Sequence, residues 1–449
     1  EIIVNGGTLN AYGTAGSPIL FTSDSISKAA GNWYGVRVMK GDVSLNNCVI
    51  EYAVDGLRLE DTDTRFAVYS LANVTVQRCS GNGVFTTSGQ NAQMVVLNNF
   101  QLGTNATGLT ANGPTTLNGG QVVGNTGYGI FVNNTGAALV LTGTVVNNNQ
   151  GDGVQAYGSL QMNGCTVARN NGWGLQLYPQ NSSLSVEIGN SLVQSNGSGG
   201  LLIGNYAQVG LVSNTISGNF GNGLNLSLSG GGGVSASGIT GNAIWGNGGV
   251  GVLVNGNSPP VLTLSGNDIY QNTNYELRND GGSAVVANGN YWGSSTTTEL
   301  GQGKANITRI YDIRDGGQQQ ALIAQWYAAP VLGGSPGALQ NLTYPAAGGA
   351  QIVSGTIDTA QTWSGTVLVV GDVTVVGSLT IAQGTTVLFD SLHDAQAGGS
   401  DRSRCELIVN GGSLTIAGTG LAPVRLTSAG VSKAAGNWYG VRVMKGDVS

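Results

Sequence analysis

The first 44 residues of the chain, Glu1 to Ser44, return as the last 44, Glu406 to Ser449, at a constant offset of 405. Aligned without a gap, the two segments agree at 30 positions, and the final 18, SKAAGNWYGVRVMKGDVS (27–44 against 432–449), agree at every one. Whatever such a unit folds into must be able to follow itself, which points to an array of units and away from a lone catalytic body. The chain opens on Glu1 in mid-strand pattern without an initiator Met, and stops at Ser449 where the earlier copy runs on into Leu45. We therefore expect a window cut from a longer array.

A shorter beat runs inside this long one. A Gly followed by a branched or aliphatic residue recurs at Gly56, Gly83, Gly108, Gly129, Gly153, Gly174, Gly200, Gly223 and Gly251, at a mean spacing of about 24 residues. Four residues ahead of it stands an Asn in six units: Asn125, Asn149, Asn170, Asn196, Asn219 and Asn247. A tenth unit keeps Asn272 but has Glu276 in place of the Gly. Nine residues ahead, a second Asn recurs at Asn47, Asn214, Asn242 and, counted from Glu276, Asn267.

Each unit alternates apolar and polar residues over short runs bounded by turn residues, and no helical period takes over. A unit of this length with three short strands predicts one turn of a coil, each strand stacking in parallel on its counterpart one turn later. Val, Ile and Leu then form continuous inward columns, while Asn, Ser, Thr and Gln point out. The recurrent Asn is given two roles: it tolerates a left-handed corner, and its amide can bond to the Asn above and below. The recurrent Gly relieves crowding at the next corner, where a positive φ is also expected. The expected class is all-β, a parallel β-helix, right-handed by the general rule for parallel crossovers. We divide the chain into a β-helix run over 1–293, an irregular junction over 294–345 with a short helix at 316–327, and a second run over 346–449. The junction breaks the beat and holds Pro330, Pro336 and Pro345.

Several segments resemble the right-handed parallel β-helix repeat proteins of bacterial surfaces and periplasm, built on the pectate-lyase-like fold. They are LTIAQGTTVLF (379–389), LIVNGGSLTIAGTG (407–420), GNWYGVRV (436–443) and the closing run NGNYWGSS (288–295), ITRIYDIRDGG (307–317) and AAPVL (328–332). The resemblance covers nearly the whole chain. It implies the architecture and an extracellular or cell-surface location, and says little of activity.

Enzymes of that fold place acids and bases on one face of consecutive coils, and its lyases also need Arg or Lys, often with Ca²⁺. Here residues 120–255 hold only Asp152, Arg169 and Glu187 as charged side chains. That is too few for a polysaccharide-cleaving groove, so no enzyme is expected. The sole histidine, His393, sits in a polar loop and reads as solvated. The densest acidic run, LEDTDTR, offers Glu60, Asp61 and Asp63 to Ca²⁺ but lacks the ligand count and Gly of a dedicated calcium loop. Asp312 and Asp315 read as turn or capping residues. Cys48, Cys79, Cys165 and Cys405 lie far apart without metal spacing and read as buried free thiols. No cofactor is implied.

Charged residues make up 9% of the chain, and the formal charge is −6. That balance disfavours nucleic acid and acidic membranes as partners, and no apolar run is long enough for a transmembrane helix. Trp33, Tyr34, Trp173, Tyr178, Trp245, Tyr270, Tyr291 and Trp292 could stack on sugars or plug loops against coil ends. Three classes are thus open: a self-associating structural filament or stalk, a glycan-binding adhesin module, and a carbohydrate-active lyase or hydrolase. Repetition of a whole 405-residue block favours the first, with copies of itself as partner.

Overall fold

The computed structural model describes residues 1–60, 67–87, 94–256, 261–301, 307–323, 325–333, 337–341, 351–391, 394, 399–401, 403–430 and 433–449. Thirty strands between Ile2 and Leu322 join in one sheet, each pairing in parallel with the strand one coil further on. The chain is a parallel β-helix. One column shows the principle. Val36, Leu57, Val84, Leu109, Ile130, Val154, Leu175, Leu201, Leu224, Val252, Leu277 and Ile310 stand in register along the axis. All are buried, and with their neighbours they form one continuous core. Alternation produces this. In Trp173–Leu177, Leu175 and Leu177 point in while Gln176 between them is half-exposed. With Ile2 below Val36, the column counts thirteen coils, a stack of about 60 Å at ordinary strand spacing.

The corners differ from expectation in one physical detail. The left-handed residue is the one before the recurrent Asn: Gly124, Asn148, Arg169, Ser195, Gly218, Gly246 and Gln271, with φ between 53° and 65°. The glycines at 129, 153, 174, 200, 223 and 251 do not have positive φ either, so their need for Gly is purely steric. A Cβ on Gly129 would lie 2.6 Å from the Gly153 carbonyl and 2.8 Å from Asn149 Nδ2. Asn47, too, is a left-handed corner residue (φ 50°), and it is Cys48 that points inward and pairs with Val74. The coil there is one residue shorter than the count from Gly56 implied.

Sheet and core run on past residue 293. Ser294–Gly301 is an α-helix, Ile310–Tyr311 and Ala321–Leu322 extend the sheet, and Ile310, Ala321 and Trp326 belong to the same core. The helix expected at 316–327 is therefore replaced by strands Ala321–Leu322 and Gln325–Tyr327, and the helix lies earlier in the chain. Asp268 ties down the closing segment, its two oxygens accepting the Val331 and Leu332 amides at 2.7 and 3.1 Å. Asp312, buried, accepts the Ala321 amide at 3.0 Å, and Asp315 accepts that of Asp312. From Gln351 to Val448 eight further strands form a second parallel sheet with its own core, centred on Trp363, Val369, Val375, Phe389, Leu407 and Leu414.

Candidate functional site

The recurrent asparagines form a continuous ladder inside the first sheet. Asn125 Nδ2 donates to Asn149 Oδ1 at 2.8 Å, and the relay continues through Asn170, Asn196, Asn219, Asn247 and Asn272 at 2.9 to 3.0 Å. Each backbone N–H donates to the same oxygen of the next coil, and the second amide hydrogen goes to a carbonyl one coil back, as from Asn149 to Val122. Every donor and acceptor of these buried amides is used. At Gly129, Gly153, Gly174, Gly200, Gly223 and Gly251 the amide of the following coil fills the space a Cβ would need. A second ladder runs from Asn214 through Asn242 and Asn267 to Asn290 at 3.0, 2.9 and 3.0 Å.

The first ladder ends on charge. Asn272 donates to Glu276, the residue in the Gly position, and Arg309 holds the other Glu276 oxygen at 3.0 Å. Burial pushes the Glu276 carboxyl up, against the hydrogen bonds from Asn272 and Arg309.

Near the other end, Glu60 lies between two guanidiniums: Arg37 reaches Oε2 at 2.9 Å and Arg58 reaches Oε1 at 2.6 Å, while Arg58 also pairs with Asp55 and covers the Phe85 ring. Burial raises the Glu60 pKa, but the bonds from Arg58 and Arg37 outweigh it and hold the carboxyl below its ordinary value. As a calcium ligand Glu60 is thus already engaged. Asp61 and Asp63 lie outside the described residues, as does His393. Among the described residues no group of three or more His, Cys, Asp or Glu is placed to hold a metal. Cys48, Cys79, Cys165 and Cys405 are buried thiols that are not joined in disulfides. Burial raises the Cys79 thiol to about 11.

Between these ends the surface is nearly uncharged. Asp152 is buried and accepts the Trp173 amide at 2.7 Å, a corner contact, while Glu187 stands on Ser185–Gly189 between Gln161 and Gly210 of adjacent coils. What this surface does carry is aromatic. Tyr128, Phe131, Tyr157 and Tyr178 follow one another at centroid distances of 5.2, 6.3 and 6.3 Å, all half-buried. A second column joins Trp245, Tyr270 and Tyr291 at 6.3 and 5.9 Å. Trp292 is fully buried and so is closed to a ligand, while Trp33, half-buried, donates its indole N–H to the Glu51 carbonyl at 2.8 Å. Tyr128, Phe131 and Tyr157 were missed in the sequence, although Tyr157 and Tyr178 both stand four residues after a recurrent Gly.

The second sheet holds a buried acidic group. Asp372, Asp390, Asp394 and Glu406 are each at most 4% exposed. Asp372 Oδ1 accepts the Glu406 amide at 2.8 Å, and Arg442 reaches Glu406 at 3.2 Å. Desolvation raises the Asp372 pKa to about 6.

The repeated segments take the same structure. Ile2–Tyr12 pairs with Val36–Glu51 from Ile2↔Val36 on, with register shifts around Asn5, which meets Lys40; Glu406–Ile416 pairs with Gly440–Val448 from Leu407↔Val441 on, shifted around Asn410, which meets Lys445. Gly6, Gly41, Gly411 and Gly446 have φ of 97°, 120°, 96° and 123°. A Cβ on Gly41 would fall 2.1 Å from the Gly7 carbonyl, and one on Gly446 would fall 2.1 Å from that of Gly412. What differs is the cover. Leu407 lies fully buried on Thr366–Val375, whereas Ile2 is 36% exposed; Val36 and Val38 lie fully buried under Leu57–Leu59, whereas Val441 and Val443 are 41% and 52% exposed.

Residues 34–190 match the model of a family described as right handed beta helix region. No curated protein and no solved structure matches the chain.

Proposed function

We propose that this right-handed parallel β-helix is a structural protein, an extracellular or cell-surface filament or stalk that associates with copies of itself and carries out no catalysis. The observation behind this reading is the repeated coil: 1–44 and 406–449 share pairing, bulge and glycine conformations. An architecture that resumes its starting coil can be continued indefinitely. A sparsely charged surface between the two ends agrees with a non-catalytic role. The test is electron microscopy and fibre diffraction of the concentrated chain. Filaments with a strand repeat of about 4.8 Å along the fibre axis support the proposal; a persistently monomeric chain, or strands running along the fibre, overturns it.

A second reading, a glycan-binding module, draws on the half-buried ring column Phe131, Tyr157 and Tyr178. Half-buried rings of this kind offer flat faces to sugars. Binding to a glycan array that Tyr157→Ala and Tyr178→Ala abolish would favour it over a purely structural role.

A further inference from the structure

Ring stacking in the first sheet sets phenol against phenol. Among the described residues six tyrosines meet in three pairs, Tyr157 with Tyr178, Tyr270 with Tyr291 and Tyr275 with Tyr311, at centroid distances of 6.3, 5.9 and 5.3 Å. Each pair joins one coil to the next: Ala156 pairs with Leu177, the Ile269 amide donates to the Tyr291 carbonyl, and Arg278 pairs with Tyr311. The first pair is close to parallel, its planes 25° apart against 56° and 58° in the other two. Register accounts for this. The Tyr178 amide donates to the Ala156 carbonyl at 2.8 Å, so Tyr157 and Tyr178 leave equivalent positions on consecutive coils. Tyr178 is also held in place: Gln176 Nε2 donates to its hydroxyl oxygen at 3.0 Å, and its ring fills the space over Gly204, where a Cβ would lie 2.9 Å from Cδ1.

We propose that Tyr157 and Tyr178 form an oxidative cross-linking site, at which a peroxide as oxidant couples the two phenols into a dityrosine that staples one coil to the next. Each phenol gives up one electron and one proton, and the two phenoxyl radicals join through the ring carbons beside their oxygens. The hydrogens on those carbons then pass to the oxygens through water, which restores both phenols. The pair has lost two hydrogens in all, and one hydrogen peroxide has become two waters. Stacking favours this outcome, because the second radical forms beside the first and side-chain motion on the ps–ns scale brings ring carbon to ring carbon. Both tyrosines are half-buried, within reach of a small oxidant and less open to the rings of other chains than an exposed tyrosine is.

Such a staple supplies a covalent tie that the stack lacks. Coils of a solenoid touch only their neighbours and can open one at a time. The four cysteines are not joined in disulfides, so among the described residues non-covalent contacts alone hold coil to coil. A bond between Tyr157 and Tyr178 closes a loop of one coil and removes that coil's freedom to peel away. It acts within a single chain, so it stands or falls apart from the self-association proposed above. Tyr128 and Phe131 mark the chemical limit. Their rings stack at 5.2 Å and 18°, but a phenyl ring has no O–H hydrogen to lose and forms no such bond.

Peptide mapping of the full chain tests it. Trypsin cuts after Arg169, between the two tyrosines, and next after Arg78 and Arg278, so the denatured chain releases 79–169 and 170–278 as separate peptides. The dilute chain is treated with hydrogen peroxide and a haem peroxidase, and the monomer is separated from chains coupled through the exposed Tyr12, Tyr34, Tyr206 and Tyr439, whose coupling shows that the oxidant acted. The digested monomer should contain the two peptides joined, lighter than their sum by two hydrogens and fluorescing as dityrosine, with fragmentation placing the bond at Tyr157 and Tyr178. Tyr157→Phe and Tyr178→Phe keep the rings, and each should release the two peptides unlinked. Peptides that stay separate in the parent chain, or a link that survives either substitution, overturn the proposal.

Discussion

Asn272 Nδ2 donates to Glu276 Oε2 at 2.7 Å, its backbone N–H reaches the same oxygen at 3.3 Å, and there a ladder of neutral amides ends on the ion pair of buried Glu276 with Arg309. A ladder in which every Asn donates to the coil ahead needs an acceptor at its last rung, and a carboxylate has no hydrogen of its own to misdirect. The carboxylate in turn requires Arg309, because an unpaired charge at 3% exposure is strongly disfavoured.

Replacing Arg309 with Met should therefore destabilise the closing end of the first sheet by roughly 2–4 kcal/mol at neutral pH. The Glu276 pKa, already raised by burial, rises further when the guanidinium is lost. A carboxyl raised in the folded state favours folding below its unfolded pKa of about 4.3, and that benefit is lost as pH rises through the folded pKa. The deficit of Arg309→Met relative to the parent should thus shrink on acidification toward pH 4. Denaturant unfolding across pH 4–8 checks this, and a deficit independent of pH would contradict it.

Steric and conformational demands on glycine separate cleanly here. A Cβ on Gly174 would lie 2.8 Å from Asn196 Nδ2 and 2.7 Å from the Gly200 carbonyl, without positive φ. Gly143 has φ +56° and nothing within 4 Å. Gly174→Ala must push a ladder rung aside and should cost about 3 kcal/mol or more. Gly143→Ala meets only the left-handed backbone penalty and should cost about 1–2 kcal/mol. Comparing the two by thermal unfolding decides whether crowding or φ dominates.

How much of this was legible in advance follows from what recurs. Asn125 to Asn272 and Gly129 to Gly251 could be read because the coil brings one residue type back to one place. The left-handed corners could not, since Gly124, Asn148, Arg169, Ser195 and Gln271 share a backbone conformation and no side chain. The second inward column changes character along the axis, with Cys48, Phe100, Thr144, Cys165 and Ser191 before Asn214, and so only its asparagine end showed. Phe100 itself is accommodated by Gly120, where a Cβ would sit 2.8 Å from the ring. Glu276 looked like a lost Gly because its partner Arg309 lies 33 residues away.

Adjacent residues test the assignment of faces. Leu201 is 1% exposed in the inward column, and Leu202 beside it is half-buried on the outer surface. Leu201→Asp buries a charge between Leu175 and Leu224 and should cost at least about 4 kcal/mol or prevent folding. Leu202→Asp should cost less than about 1 kcal/mol. Equal thermal midpoints for the two variants would contradict the fold.

The acidic group of the second sheet gives the last expectation. Asp372 Oδ1 accepts the Glu406 amide, but Oδ2 has no hydrogen-bond partner among the described residues, and both it and Glu406 Oε1 face Gly399, within 2.7 Å of where a Cβ there would be. Desolvation first, and then the Asp394 and Glu406 charges, raise its pKa to about 6. Relative to an unfolded value of about 3.9, that raised pKa favours folding below pH 4, and the benefit disappears as pH rises through about 6. Asp372→Asn keeps the acceptor for the Glu406 amide and turns the unpartnered oxygen into a donor that Glu406 can accept. The variant should be more stable than the parent at pH 7.5, by on the order of 2 kcal/mol, and the advantage should vanish near pH 4. Unfolding of parent and variant at both pH values measures this directly, and a variant less stable at pH 7.5 would mean that the charge at position 372 is compensated by a partner the geometry does not provide.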